Sequence, residues 1–184
     1  AGVEINASNQ SGNTALIVAA MRGRAEVVAA LIKAGVEINA SNMHGDTALI
    51  LAVQEGHTDV VAALMDANAE VNAISKNGNT ALIVAAYKGH TEMVRSLLDN
   101  GAEVDARNKA GKTTLTLAAW EGHTEVVKAL LDKGADVNTE DNDGNTALIW
   151  AAKLGHTEVV KVLLTAGVNA STKKGNTALI LAAR

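Results

Sequence analysis

Histidines are the side chains of this sequence best suited to metal binding or proton transfer. Four of the five recur at a spacing of 33 residues, at His57, His90, His123 and His156. Zinc ligands converge to about 2 Å from one ion, whereas side chains that recur with a long repeat lie one repeat apart. We therefore expect these histidines to begin helices and to pack against neighbouring units. His44 has no ligand partner near it in the sequence, so we predict neither a metal site nor a cofactor.

Carboxylates recur with the same period. Charges that repeat in this way are better explained by the helix dipole and by solubility than by acid–base catalysis. The chain has no cysteine, so it has no thiol nucleophile. No Gly-rich turn follows a strand and ends in Lys-Ser or Lys-Thr, as a phosphate-binding loop does. We predict no catalytic residues and no enzymatic activity. The two carboxylate sets are Glu26, Asp59, Glu92, Glu125 and Glu158, and Glu37, Glu70, Glu103 and Asp136.

The composition excludes several classes of protein. Of the 184 residues, 48% are hydrophobic and 20% are charged, which is typical of a folding chain. Aromatic residues make up 2%, so the core must be built from Ala, Leu, Ile and Val. The net charge of −4 argues against nucleic acid as the main partner. The longest apolar run, Ala15–Met21, is too short to span a membrane, and we expect no membrane segment and no signal peptide.

A repeat of about 33 residues runs through the chain. Within each unit, a threonine such as Thr14 can cap an apolar helix, and a glycine such as Gly23 ends it. His-Thr-Glu then opens a second, amphipathic helix. Gly134, or Asn68 in an earlier unit, ends that helix. The tripeptide Gly-x-Thr marks the units, with spacings of 33 residues and a last spacing of 31, at Gly12, Gly45, Gly78, Gly111, Gly144 and Gly175.

This pattern resembles the ankyrin repeat. The family motifs Gly-His-x-Glu-Val-Val and Gly-Ala-Asp-Val-Asn stand at residues 122–127 and 134–138. The family's Thr-Pro-Leu-His is replaced by Thr-Ala-Leu-Ile in five of six copies, and residues 113–116 read Thr-Thr-Leu-Thr, so we do not expect the family's histidine network. The resemblance implies an all-α solenoid of stacked helix–turn–helix units joined by β-hairpin-like loops. It also favours an intracellular protein.

The repeat divides the chain into a single array. Residues 1–8 match the end of a preceding unit and residues 172–184 form a partial one, so we expect a segment of a longer array. The fifth unit lacks two residues after Gly167, where we predict a tighter hairpin. The last helix has no following helix to cover it, so we expect it to be the least stable part of a monomer that could associate end to end. The full units are placed at residues 9–41, 42–74, 75–107, 108–140 and 141–171.

The candidate binding site follows from the resemblance, which implies that partners bind the concave face made by hairpin tips and first-helix ends. Residues at those places include ten basic and five acidic side chains, a net charge of +5. Units three and four carry most of this excess and hold Tyr87 and Trp120 at equivalent positions, where we expect neighbouring anchors. Alternatively, both rings cover the adjoining helix and the lysines form a solvated fringe. We expect Trp150, deeper in the apolar run, to be core. The predicted partner-binding residues are Lys76, Tyr87, Lys88, Arg107, Lys109, Lys112, Trp120 and Glu121.

The sequence thus predicts a non-catalytic protein–protein interaction module. Its expected partner is another protein, bound through an acidic surface or peptide that the basic residues attract. Two alternatives stay open. The chain could be a structural spacer segment of a longer ankyrin array, in which substitutions at Tyr87 and Trp120 would be silent. It could also be an engineered repeat scaffold with no natural partner.

Overall fold

A computed structural model describes residues 4–167, which contain ten α-helices. Five inner helices alternate with five outer ones. Each inner helix packs against the next inner helix and against the outer helix that follows it, which confirms the predicted all-α stack of helix pairs. The inner helices are α1 (Ala15–Met21), α3 (Ala48–Glu55), α5 (Ala81–Lys88), α7 (Thr114–Glu121) and α9 (Ala147–Leu154). The outer helices are α2 (Ala25–Lys33), α4 (Thr58–Asp66), α6 (Thr91–Asp99), α8 (Thr124–Asp132) and α10 (Thr157–Thr165).

Threonines begin the inner helices. The hydroxyl of each accepts a hydrogen bond, at 3.2 to 3.4 Å, from the backbone N–H three residues later. This bond satisfies one of the N–H groups that a helix start leaves without a partner. It confirms the cap predicted at Thr14. The capping residues are Thr14, Thr47, Thr80, Thr113 and Thr146.

Most residues of the inner helices are buried because other helices pack around them. Their small residues, such as Ala52, Ala86 and Ala119, have no exposed surface and allow close approach of neighbouring backbones. The divergent fourth copy also buries two hydroxyls without leaving them unpaired. Thr114 donates to the carbonyl of Val104, and Thr116 donates to the carbonyl of Thr113 at 2.9 Å. Buried hydroxyls therefore replace apolar groups here without an unsatisfied donor.

Histidines tie each of three outer helices to the preceding unit. Their rings cap no helix, and Nε2 instead donates to a backbone carbonyl 36 residues earlier. A carbonyl can only accept, so Nε2 carries the proton. This arrangement confirms the predicted packing against neighbouring units. The pairs are His57 with Met21 (3.2 Å), His123 with Tyr87 (3.0 Å) and His156 with Trp120 (2.7 Å).

His90 differs from the other three repeated histidines. Its buried Nε2 has no hydrogen-bond partner in the described part of the chain. A Cβ on Gly56 would lie 3.5 Å from the His90 ring, whereas a Cβ on Gly89 would lie 2.7 Å from the His123 ring, so the His90 ring stands farther from its neighbour. Burial lowers the pKa of His90, and the positive charges of Lys88 and His123 lower it further.

Polar side chains join successive units at the ends of the outer helices. One side-chain oxygen of each accepts a hydrogen bond, at 2.9 to 3.0 Å, from the backbone N–H 31 residues later. The accepting residues are Asn6, Asn39, Asn72 and Asp105. Asn68, after α4, has a φ of 61°, which confirms its predicted left-handed conformation in place of a glycine. These links fix the spacing from one unit to the next.

Several sequence expectations concern the C-terminal part of the chain. The tighter hairpin after Gly167, the partial unit at 172–184 and its weak last helix lie outside the described residues. Each predicted full unit contains one helix pair, although the exact unit boundaries stay a prediction. Across residues 4–167, no helix has the length and apolar character needed to cross a membrane.

Candidate functional site

The predicted partner-binding residues lie in the hairpin loops and at the last turns of α5 and α7. We call this surface the hairpin face. Tyr87 and Lys88 end α5, and Trp120 and Glu121 end α7. The other four lie in the hairpin loops before these helices, Lys76 before α5 and Arg107, Lys109 and Lys112 before α7. Six of the eight are exposed, and Lys112 and Trp120 are half-buried.

Backbone hydrogen bonds hold the hairpin tips in a row. The N–H of Lys76 donates to the carbonyl of His44 at 2.8 Å, and the N–H of Lys109 donates to the carbonyl of Asn77 at 3.1 Å. Short antiparallel bridges close three of the hairpins, as between Arg107 and Thr113. The hairpin tips are thus held at fixed spacing, which sets the separation of the side chains they carry.

A pocket of about 370 Å³ opens on the hairpin face beside Tyr87. Tyr87 is 46% exposed, whereas Ile83 and Leu117 in the pocket wall are buried. The wall is apolar where the inner helices supply it and polar where the hairpins and helix ends do. Its lining residues are Gln54, Asn79, Ile83, Val84, Tyr87, Lys88, Asn108 and Leu117.

Trp120 faces the next unit and stacks on Trp150. The ring centroids are 4.2 Å apart and the planes are inclined by 29°. The Lys112 ammonium lies 3.2 Å from the centroid of Trp120 and 5.0 Å from that of Trp150. Lys153 lies 4.8 Å from the centroid of Trp150. Such cation–π contacts are attractive because the ring faces carry negative potential.

Asp141 holds this aromatic cluster in place through a hydrogen bond to Trp150. Its Oδ2 accepts a 2.8 Å hydrogen bond from Nε1 of Trp150, and its side chain is buried. Its Oδ1 accepts the N–H groups of Asp143 and Asn145, which fixes the hairpin turn. Burial against the rings lowers the pKa of Lys112, although attraction to Asp141 and Asp143 acts in the opposite direction.

Sequence and structure differ in how they group the aromatic residues. The sequence suggested Tyr87 and Trp120 as neighbouring exposed anchors, whereas the ring contact of Trp120 is with Trp150. Tyr87 is exposed as expected, and Trp150 is 7% exposed, as expected for a core residue. Arg107 is also engaged, because its Nη1 donates to the carbonyl of Glu140 at 3.2 Å.

Two groups of residues at this surface escaped the sequence analysis. Asn108 and Asp141 occupy the same turn position one repeat apart, and each binds backbone N–H groups through one oxygen. Val84 and Leu117 line the pocket although they looked like ordinary core positions. The signal available in the sequence was that Leu117 and Val84 lie one and two repeats before Trp150.

Metal binding has no support in the part of the chain that the structure describes. No group of three or more His, Asp or Glu side chains between residues 4 and 167 is placed to hold an ion. His90 and the tied histidines stand one unit apart, each against a different neighbour.

The family model for ankyrin repeats (3 copies) matches residues 1–75, 68–141 and 135–184, which together span the chain. The chain therefore belongs to the ankyrin repeat family. Domains of this family are generally protein–protein interaction modules and are typically non-catalytic. No curated protein matches the chain.

Proposed function

We propose that this ankyrin repeat chain binds another protein through its hairpin face and catalyses no reaction. The observation that carries the proposal is Tyr87, a tyrosine 46% exposed beside an open, partly apolar pocket. Exposed tyrosines next to pockets are common anchors in protein interfaces. Trp120 has a different role in this proposal, because it supports the face from a stacked, half-buried position.

An acidic partner surface or peptide fits the charges of this face. Lys76, Lys88 and Lys109 are exposed around the pocket and the neighbouring hairpin tips. On the outer helices, by contrast, two lysines form exposed ion pairs, Lys128 with Glu125 at 2.7 Å and Lys161 with Glu158 at 2.6 Å. Exposed charges mainly set the rate of association, so binding should weaken with salt.

The test compares three changes at exposed side chains. Tyr87→Ala removes the anchor, and Lys76→Glu with Lys109→Glu reverses two of the positive charges on the face. Lys128→Glu with Lys161→Glu makes the same charge change on the outer helices and serves as the control. Each chain is used to capture proteins from a lysate, and the dissociation constant of any captured protein is then measured with each variant.

We expect each hairpin-face variant to bind at least about tenfold more weakly than the native chain, and the outer control to bind unchanged. Raising the ionic strength from about 0.15 M to about 1 M, which shortens the screening length from about 8 to about 3 Å, should weaken native binding. Equal binding by all variants would contradict the proposal and favour the spacer segment.

A further inference from the structure

The repeat allows the open pocket to be compared with its own equivalent one unit later. A shift of 33 residues maps four of the residues that line the pocket onto residues of the aromatic cluster. The mapped pairs are Asn79 with Lys112, Tyr87 with Trp120, Asn108 with Asp141, and Leu117 with Trp150.

The two places differ in what fills them. In the cluster, the indole of Trp150 occupies the space against Trp120. In the pocket, the smaller Leu117 holds the same position, and a volume of about 370 Å³ stays open beside Tyr87. An enclosed apolar cavity of about 150 Å³ holds a benzene molecule. The pocket therefore has room for one aromatic side chain, in the space that corresponds to the one filled by the Trp150 indole in the cluster.

The polar edge of the pocket has the opposite hydrogen-bonding character to that of the cluster. Asn108 Oδ1 accepts the N–H groups of Ala110 and Lys112 at 3.0 and 3.1 Å, which identifies that atom as the oxygen. Its Nδ2 amide group then takes the place of the Asp141 oxygen that accepts the Trp150 N–H. A ring in the pocket meets a donor, so its polar group must be an acceptor.

We propose that this pocket binds one tyrosine side chain of the partner, supplied by a segment rich in Asp and Glu. A phenol oxygen accepts from the Asn108 amide, whereas an indole N–H is only a donor and meets another donor there. Lys88 in the pocket wall and the exposed Lys76 and Lys109 attract the acidic neighbours of that tyrosine. This inference rests on the proposed function, since it names the residue that the same face recognises.

The first test uses synthetic peptides of sequence Ser-Asp-Glu-X-Glu-Asp-Ser, with X as Tyr, Phe, Trp, Leu or Ala. Binding is followed by NMR through the backbone amide signals of the pocket residues in the isotope-labelled chain, and in the native chain also through the side-chain amide signal of Asn108. We expect the Tyr peptide to bind most tightly, the Trp peptide at least about threefold more weakly, and the Leu and Ala peptides at least about tenfold more weakly. Equal binding of the Tyr and Leu peptides would overturn the inference.

Asn108→Asp tests the hydrogen-bonding argument with little risk to the fold, because Asp141 holds the same turn in the next hairpin. The new carboxylate repels every acidic peptide alike, so only the ratio of affinities is compared. We expect the affinity of the Trp peptide relative to that of the Phe peptide to be at least about threefold higher in the variant than in the native chain. The reason is that the indole N–H then has an acceptor. An unchanged ratio would overturn the assigned role of Asn108.

Leu117→Trp fills the pocket with the residue that α9 carries one unit later, Trp150. Val18→Trp places the same indole at the equivalent position of α1, where Val18 is 38% exposed, and serves as the control. Amide spectra check that both variants fold. We expect Leu117→Trp to weaken binding of the Tyr peptide at least about tenfold and Val18→Trp to leave it unchanged. Unchanged binding to Leu117→Trp would overturn the pocket as the binding place.

The outcomes separate this inference from the proposed function. The native chain could bind no Tyr peptide while the variant with Lys76→Glu and Lys109→Glu no longer binds a captured protein. In that case the tyrosine inference fails and the proposed function stands. If a captured protein is insensitive to every change on the hairpin face, the proposed function fails, and the tyrosine inference fails with it.

Discussion

Replacing Asp141 by Asn would remove one buried contact and leave its surroundings in place. The Asp141 side chain is 2% exposed, and its Oδ2 accepts the 2.8 Å hydrogen bond from Nε1 of Trp150. Asparagine keeps the other oxygen, which holds the turn through two backbone N–H groups, as Asn108 does in the preceding hairpin. The substitution puts an amide N–H against the indole N–H, so two donors face each other.

The expected loss of unfolding free energy follows from replacing an acceptor by a donor at the indole N–H. A hydrogen bond to a charged group contributes about 1.5 to 3 kcal/mol, and a buried donor without an acceptor adds a desolvation cost. Removing a buried carboxylate offsets part of this loss, because burial of a charge is itself unfavourable. We therefore expect Asp141→Asn to lower the free energy of unfolding by about 2 kcal/mol at neutral pH.

Urea unfolding followed by circular dichroism measures this change, and amide exchange in α9 locates it, because repeat arrays can unfold in parts. Asp143→Asn is the matched control. Asp143 is exposed, and it also attracts Lys112, so the control removes the same charge without touching Trp150. We expect the control to stay within about 0.5 kcal/mol of the native chain. Equal losses in both variants would refute the indole–carboxylate bond as the cause.

Three further changes test the links between units. His123→Ala should cost about 1 kcal/mol of unfolding free energy in urea titrations, because it removes the 3.0 Å bond to the carbonyl of Tyr87. Gly89→Ala should destabilise the fold more than Gly134→Ala. Both have positive φ, but only at Gly89 would the Cβ meet the His123 ring, at 2.7 Å, and melting temperatures of the two variants decide this. The pKa of His90 is lowered, so an NMR titration should place its midpoint below 6.5. The unfolded state then binds more protons, so the chain should lose stability as the pH falls through 6.5, and His90→Asn should lessen that loss.

The sequence predicts those features that depend on a few neighbouring residues. Thr14 caps α1 because a threonine stands directly before an apolar helix, and Asn68 adopts a positive φ because a glycine stands there in other units. Both signals are local and repeat with the period. The repeated histidines follow the same logic, since their position in each unit fixes which carbonyl they reach.

The pairing of large side chains could not be predicted in this way. Trp120 and Tyr87 are equivalent in sequence, but the residue that each meets belongs to the next unit, where Trp150 stands in one case and Leu117 in the other. The contact also depends on the direction in which each side chain leaves its helix. Equivalence within the repeat therefore does not imply equivalent surroundings.

Counting charges overstated the number of cations available to a partner. The predicted partner-binding residues include Arg107 and Lys112 beside Lys76, Lys88 and Lys109. Arg107 donates to the carbonyl of Glu140, and Lys112 lies over the ring of Trp120. Both remain positive, but a partner that recruits either one must first replace an internal contact. Lys76, Lys88 and Lys109 are therefore the better tests of electrostatic attraction.

The hairpin face is shaped by two rows of residues that meet across unit boundaries. One row supplies the residue at the helix end, such as Tyr87 or Trp120, and the other supplies the residue it meets in the next unit. An aromatic residue over an aliphatic one leaves an open, aromatic-lined space, as Tyr87 does over Leu117. Trp120 over Trp150 closes that space with the chain's own ring. Recognition in this chain then depends less on the repeated motif than on the one junction, among those described, where an aromatic residue meets an aliphatic one.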